Sequence, residues 1–205
     1  MLDTALQHLP LVAILRGVKP DEVEGIADAL YAEGFRVIEV PLNSPDACAS
    51  IARLARRMPA DTVIGAGTVL SVQAVDEVQA AGGKVIVMPH ADVEVIRAAK
   101  ARGLFCVPGA ATPTEAFAAV NAGADAVKLF PAELVTPTIV KAMRAVLPRT
   151  LQLLPVGGIT PDSMGPYVKA GATGFGLGSA LYSPGLGAAE VGQRARAFAD
   201  AWRAL

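Results

Sequence analysis

A lysine stands inside an apolar run in ADAVKLFPAE (124–133), and a glutamate stands inside another, RVIEVPL (36–42). In an extended strand, residues two apart share a face. Val37, Glu39 and Pro41 then lie opposite Ile38 and Val40. Ala126, Lys128 and Phe130 lie opposite Val127 and Leu129. If the branched aliphatic residues face covering helices, Glu39 and Lys128 face a common interior. Burying a carboxylate and an ammonium is costly unless they pair or become neutral. One reading is a structural ion pair. The other is chemical. Desolvation lowers the pKa of the amine, a neutral amine adds to a ketone to give a Schiff base, and a nearby carboxyl group moves the protons.

Other polar residues follow apolar runs. Arg16 closes LVAILR (11–16), either as an exposed strand-end residue or as a clamp for a substrate carboxylate. Thr68 follows the two glycines of GAGT, where it can meet a ligand or simply turn the chain. Gly157 and Gly158 follow Val156 in VGG, and GLGS carries Gly178 and Ser179. Glycine lets backbone N–H groups approach phosphate oxygens closely, and Ser179 adds a hydroxyl. His8 and His90 have no acidic partner at ligand spacing, so no metal site is expected.

These residues need a frame to hold them. Apolar runs begin at 11, 36, 62, 84, 104, 125, 151 and 173, which is 20 to 26 residues apart. That spacing fits one strand, one helix and two short loops. Gly34, Gly82, Gly103, Gly123 and Gly171 stand where helices should end, and SPDA (44–47), TPTEA (112–116) and TPD (160–162) stand where helices should start. Eight βα units predict an α/β fold, a (β/α)8 TIM barrel of one domain over residues 1–205. The alternative is an open doubly wound sheet. A dinucleotide-binding version would want GxGxxG after the first strand, where RGVKPDE has one glycine. In a barrel, the loops after the seventh and eighth strands commonly bind phosphate, and functional groups collect at the carboxyl ends of strands.

Composition limits the classes. With 53% hydrophobic residues and 5% aromatic, the core must be aliphatic, and disorder is excluded. A net charge of -1 without a basic run gives no sign of a nucleic-acid partner. Asp3, His8, Pro10 and Arg16 interrupt the first apolar stretch, so neither a signal peptide nor a membrane span is expected. Cys48 and Cys106 form no CxxC and read as small core residues in a reducing, cytoplasmic protein.

Four segments together resemble the KDPG/KHG aldolases: GFRVIEVPLNSP (34–45), IGAGTVL (64–70), GADAVKLFPAE (123–133) and PVGGIT (155–160). The resemblance spans nearly the whole chain in order. It implies a class I aldolase on a TIM barrel, usually trimeric, needing no metal or other cofactor. Lys128 would form the Schiff base with a 2-keto acid, and Glu39 would shuttle protons. The gluconate-type members have Thr-Leu-Arg after the second strand, with the arginine holding the pyruvate carboxylate. Here the place reads Pro41-Leu42-Asn43, while Arg16 ends the neighbouring strand. That combination, and Val156 where gluconate-type members tend to have Thr, resembles the branch acting on 2-dehydro-3-deoxy-6-phosphogalactonate. The implied partners are that phosphorylated 2-keto-3-deoxy sugar acid and pyruvate. The alternatives are the gluconate epimer, both epimers, or a phospho-sugar-binding barrel without catalysis. Thr136 departs from the family's usual Gly in the loop after the lysine motif.

Overall fold

The computed structural model describes residues 1–205. Strands and helices alternate. The strands are β1 (Leu11–Ile14), β2 (Val37–Pro41), β3 (Val63–Gly67), β4 (Val85–Val87), β5 (Phe105–Val107), β6 (Gly109–Ala110), β7 (Ala126–Leu129), β8 (Gln152–Pro155) and β9 (Phe175–Leu177). The helices are α1 (Leu2–His8), α2 (Val23–Ala32), α3 (Ala47–Arg57), α4 (Val72–Ala80), α5 (Val93–Ala101), α6 (Pro113–Asn121), α7 (Pro137–Val146), α8 (Met164–Lys169) and α9 (Ala188–Arg203). All eight apolar runs contain strand. The fifth divides in two, because Pro108 has no N–H to carry the ladder.

The result is an α/β fold with parallel strands in a curled sheet. The expected single ladder is instead two sheets. One has the order β5-β4-β3-β2-β1-β9 and the other β6-β7-β8. Hydrogen bonds cross both seams. Asp125 N, just before β7, donates to Cys106 O of β5 at 3.0 Å, Thr173 N donates to Leu153 O at 2.9 Å, and Val156 makes a parallel bridge with Gly176.

Two apolar clusters divide the core. The larger fills the space between strands and helices, including Leu11, Ala13, Ile38, Val40, Val127 and Leu129. The smaller lies inside the curl and draws Val12, Val37, Val63, Val85, Val107, Ala126 and Leu154 from both sheets. Helix α1, which the sequence pattern does not single out, adds Leu2, Ala5 and Leu6 to this inner cluster. Their spacing puts them on one helical face.

Helix boundaries follow the punctuation with one exception. Gly34, Gly82, Gly103, Gly123 and Gly171 all have positive φ. Thr112 and Thr160 are N-caps with capping boxes, each followed by proline. Ser44 does not cap α3, whose N-cap is Asp46. Its hydroxyl instead accepts a hydrogen bond from Gly17 N at 2.9 Å, so the SPDA segment serves the neighbouring loop. Thr136 caps α7 at φ -64, a conformation any residue adopts, so nothing in this backbone calls for glycine.

Candidate functional site

Glu39 sits in the middle of β2, paired between Ile14 and Gly65. Lys128 sits in β7 opposite Gly109 and Leu154. Both side chains are buried, and Lys128 is the one lysine among the buried residues. Together they line a small, mostly apolar void inside the curl, with about 20 Å³ of free volume, room for roughly a single water. They make no direct ion pair, Lys128 Nζ makes no hydrogen bond within the chain, and Glu39 Oε2 has no partner.

Burial therefore governs both groups. It pushes the Glu39 carboxyl up to about 7, against the opposing pull of Lys128 and Arg16. It pushes the Lys128 amine below its ordinary value, helped by Arg16 and opposed by Glu39. Each group is driven toward its neutral form.

The room for Glu39 comes from β3. A Cβ on Gly67 would collide with the Glu39 carboxylate, and one on Gly65 would collide with the Val85 backbone carbonyl. The GAG segment is thus a strand with two missing side chains, rather than a turn. The turn begins at Thr68, which has φ 56.

A second cavity of about 370 Å³ opens at the carboxyl ends of β1, β7, β8 and β9. That is the size of an ordinary small-molecule pocket. Lys128 lines it as well, and so do Arg16, Val156, Gly157, Gly158, Gly178 and Ser179. Lys128, Ile14, Val156 and Gly176 line both cavities, so the amine reaches the open pocket while Glu39 stays in the void behind it. Thr68 lines neither. The remaining sequence-selected residues come together at one place.

Arg16 is exposed at the pocket, and its Nη1 donates to Asn43 Oδ1 at 2.7 Å. At the other side, the backbone N–H groups of Gly157, Gly158, Gly178 and Ser179 find no acceptor within the chain. Gly157 and Gly158 have positive φ, and the space beside Gly178 is open. Unpaired N–H groups around a cavity are the type of donor that anions accept from. The Glu133 carboxylate packs against Gly157 on the face its Cβ would occupy.

Residues 2–202 match the sequence family of KDPG and KHG aldolases. The chain belongs to that family. Among this aldolase's relatives, a probable 2-dehydro-3-deoxy-6-phosphogalactonate aldolase of Rhizobium meliloti (strain 1021) is 46% identical, covering 96% of this chain and 92% of its own. The 2-dehydro-3-deoxy-6-phosphogalactonate aldolase of Escherichia coli (strain K12) is 44% identical, covering 95% of each. A solved structure described as native KDPGal superposes with a TM-score of 0.94 at 43% identity, over 96% of this chain and 95% of the other.

Several residues around the aldolase pocket are not among the candidates that the sequence pattern singles out for chemistry. Phe130 lies with its ring centroid 4.6 Å from Lys128 Nζ, and alternation from Lys128 already places it on that face. Ile14 was within reach of the same argument, two residues before Arg16. Gly176 leaves space for Val156, since a Cβ there would lie 2.6 Å from Val156 Cγ2. Tyr182 and Pro184 come from a loop that carries no such signal. No helix is long and apolar enough to cross a membrane.

Proposed function

We propose that this aldolase cleaves 2-dehydro-3-deoxy-6-phospho-D-galactonate to pyruvate and D-glyceraldehyde 3-phosphate through a Schiff base on Lys128. The observation that carries this reading is the buried, unpaired Lys128 amine shared between a small apolar void holding Glu39 and a larger pocket holding Arg16 and the glycines with unpaired N–H groups. Arg16 binds the carboxylate of the substrate. Gly157, Gly158, Gly178 and Ser179 bind the phosphate at the far end, so remote binding energy positions the reacting carbons. Thr68, in the left-handed turn that follows β3, is the second residue assigned to the substrate carboxylate.

The Lys128 amine adds to the C2 ketone, and loss of water gives the iminium. Glu39 accepts the C4 hydroxyl proton, relayed by a water in the void. As the C4–O double bond forms, the C3–C4 bond breaks and its electron pair flows into the iminium, leaving an enamine. The aldehyde departs with the phosphate. Glu39 returns its proton to C3, and water hydrolyses the resulting iminium to pyruvate and free Lys128. The apolar walls favour the neutral form of the amine between turnovers.

The galactonate epimer is favoured by Val156, an apolar wall residue beside Lys128 with no side-chain hydrogen bond to offer the C4 hydroxyl. A pyruvate-coupled assay of both epimers tests this. We expect kcat/KM at least ~10-fold higher for the galactonate. Equal values would establish dual specificity, and a gluconate preference would reverse the assignment. Binding of either epimer without pyruvate release would make the protein a non-catalytic phospho-sugar binder.

The pH dependence follows from Glu39. As a base it must be ionised, and its carboxyl titrates at about 7. Activity should therefore fall about tenfold per pH step below that point. Glu39→Gln should lose orders of magnitude in rate and the acid limb with it. An acid limb that survives in the variant belongs to another group. Stability moves the opposite way. A carboxyl with an unfolded value of 4.5 and a folded value of about 7 holds its proton longer when folded. It stabilises fully below 4.5, and that contribution is lost as pH rises through about 7, a change on the order of 3 kcal/mol. Thermal melts of wild type and Glu39→Gln should diverge over that window, with the variant the more stable at high pH.

The wider arrangement completes the reading. The seam hydrogen bonds support closure of the two sheets into one eight-unit barrel forming a single domain over 1–205. Exposed apolar residues such as Leu70, Phe117, Leu134 and Ile139 are available for subunit contacts in a homotrimer, and a monomer by light scattering would remove that inference. Two free cysteines suit a cytoplasmic location.

A further inference from the structure

We propose that Asn43 is a positioning residue that aims the Arg16 guanidinium at the substrate carboxylate. This rests on the reading of Arg16 as the carboxylate clamp. An arginine at an exposed strand end has a flexible stem and loses rotamer freedom when it grips a ligand. Here part of that freedom is already removed. Arg16 Nη1 donates to Asn43 Oδ1 at 2.7 Å, across 27 residues of sequence. The next residue of each loop repeats the link, with Gly17 N donating to the buried Ser44 Oγ at 2.9 Å. The Asn43 loop is itself anchored, because Leu42 N donates to Gly67 O at 2.8 Å and Ser44 N donates to Pro41 O at 2.9 Å. Consecutive residues 16–17 are therefore held by consecutive residues 43–44 on a loop tied back to β2 and β3.

The choice of an amide matters. Arg36, Arg57, Arg102, Arg194, Arg196 and Arg203 each form an ion pair with an aspartate or glutamate. Arg16 is in none of these pairs. A neutral acceptor orients the guanidinium, leaves its charge uncompensated and leaves the rest of its donor fork for a ligand. A carboxylate at 43 would hold the same geometry and cancel the charge. Arg16 also contributes to the electrostatics of both Lys128 and Glu39, which places its charge near the reacting groups.

The test compares Asn43→Ala, Asn43→Asp, Arg16→Ala and Arg16→Ala/Asn43→Ala in steady-state cleavage of the galactonate substrate, with melting temperature as a folding control. Asn43→Ala should raise KM about 5-fold while kcat stays within about 2-fold. Asn43→Asp keeps the oxygen and should raise KM further, because its charge competes with the substrate. In the Arg16→Ala background, Asn43→Ala should have no further effect, which a merely structural loop residue would not show. A KM unchanged by Arg16→Ala would overturn the clamp reading and this proposal with it. A KM raised by Arg16→Ala but not by Asn43→Ala, or additive effects in the double variant, would overturn the Asn43 role alone.

Discussion

Lys128→Met should abolish aldol cleavage, with kcat/KM reduced by about 10⁴-fold or more, while the protein folds at least as stably as the wild type. Methionine keeps the length and apolar character of the side chain, so the walls of the void stay packed. What disappears is the only buried amine. The stability expectation has a definite sign. The folded-state pKa of Lys128 lies below the usual 10.5, so the unfolded chain holds the proton more tightly at neutral pH. That destabilises the native state below 10.5, increasingly as pH falls toward the folded value. The methionine variant is free of it. Its melting temperature should exceed that of the wild type at pH 7, and the two should converge as pH approaches 10.5. Incubation with pyruvate and borohydride should label wild-type Lys128, located by peptide mass, and leave the variant unlabelled. An adduct on another lysine, or turnover surviving in the variant, would transfer the nucleophile's role elsewhere.

Gly67→Ala should cost about 10²-fold or more in kcat/KM, although residue 67 offers no chemistry of its own. A Cβ at this position collides with the Glu39 carboxylate, with Oε1, Oε2 and Cδ all in its path. Gly67 is the partner of Pro41 in the β2–β3 ladder, two residues beyond the Glu39–Gly65 pair, so the strand has little freedom to move away. Glu39 must rotate instead, and a proton acceptor displaced by about 1 Å can cost ~100-fold. Circular dichroism should be unchanged. The discriminating measurement is non-additivity. In a Glu39→Gln background the glycine substitution should add almost nothing, since both act on one group. Full additivity would mean that Gly67 supports the strand rather than the carboxylate, and wild-type activity in Gly67→Ala would discard the steric account.

Local regularities account for what was readable without coordinates. The eight apolar runs, the helix-ending glycines and the Thr-Pro caps each depend on neighbours in sequence, and each reappears in the fold. The inward placement of Glu39 and Lys128 follows from the two-residue period of strands, and both are buried on the inner face. The misses have a common cause. Ser44 has the composition of a helix cap, but its hydroxyl serves Gly17 on the adjacent loop. The break in the fifth run depends on which of its N–H groups must pair across a seam, although Pro108 was in plain view.

The amino-acid order by itself determined the parallel α/β pattern, the buried lysine and glutamate, and the family, because strand and helix periods, caps and motifs are short-range properties. Only the tertiary structure decided which strand ends share a cavity, that Glu39 lines a small void next to that cavity with Lys128 common to both, that Gly67 is empty for its carboxylate, and that Asn43 accepts a hydrogen bond from Arg16. Those facts depend on distances between residues tens of positions apart, which the curl of the sheet sets and no local pattern encodes.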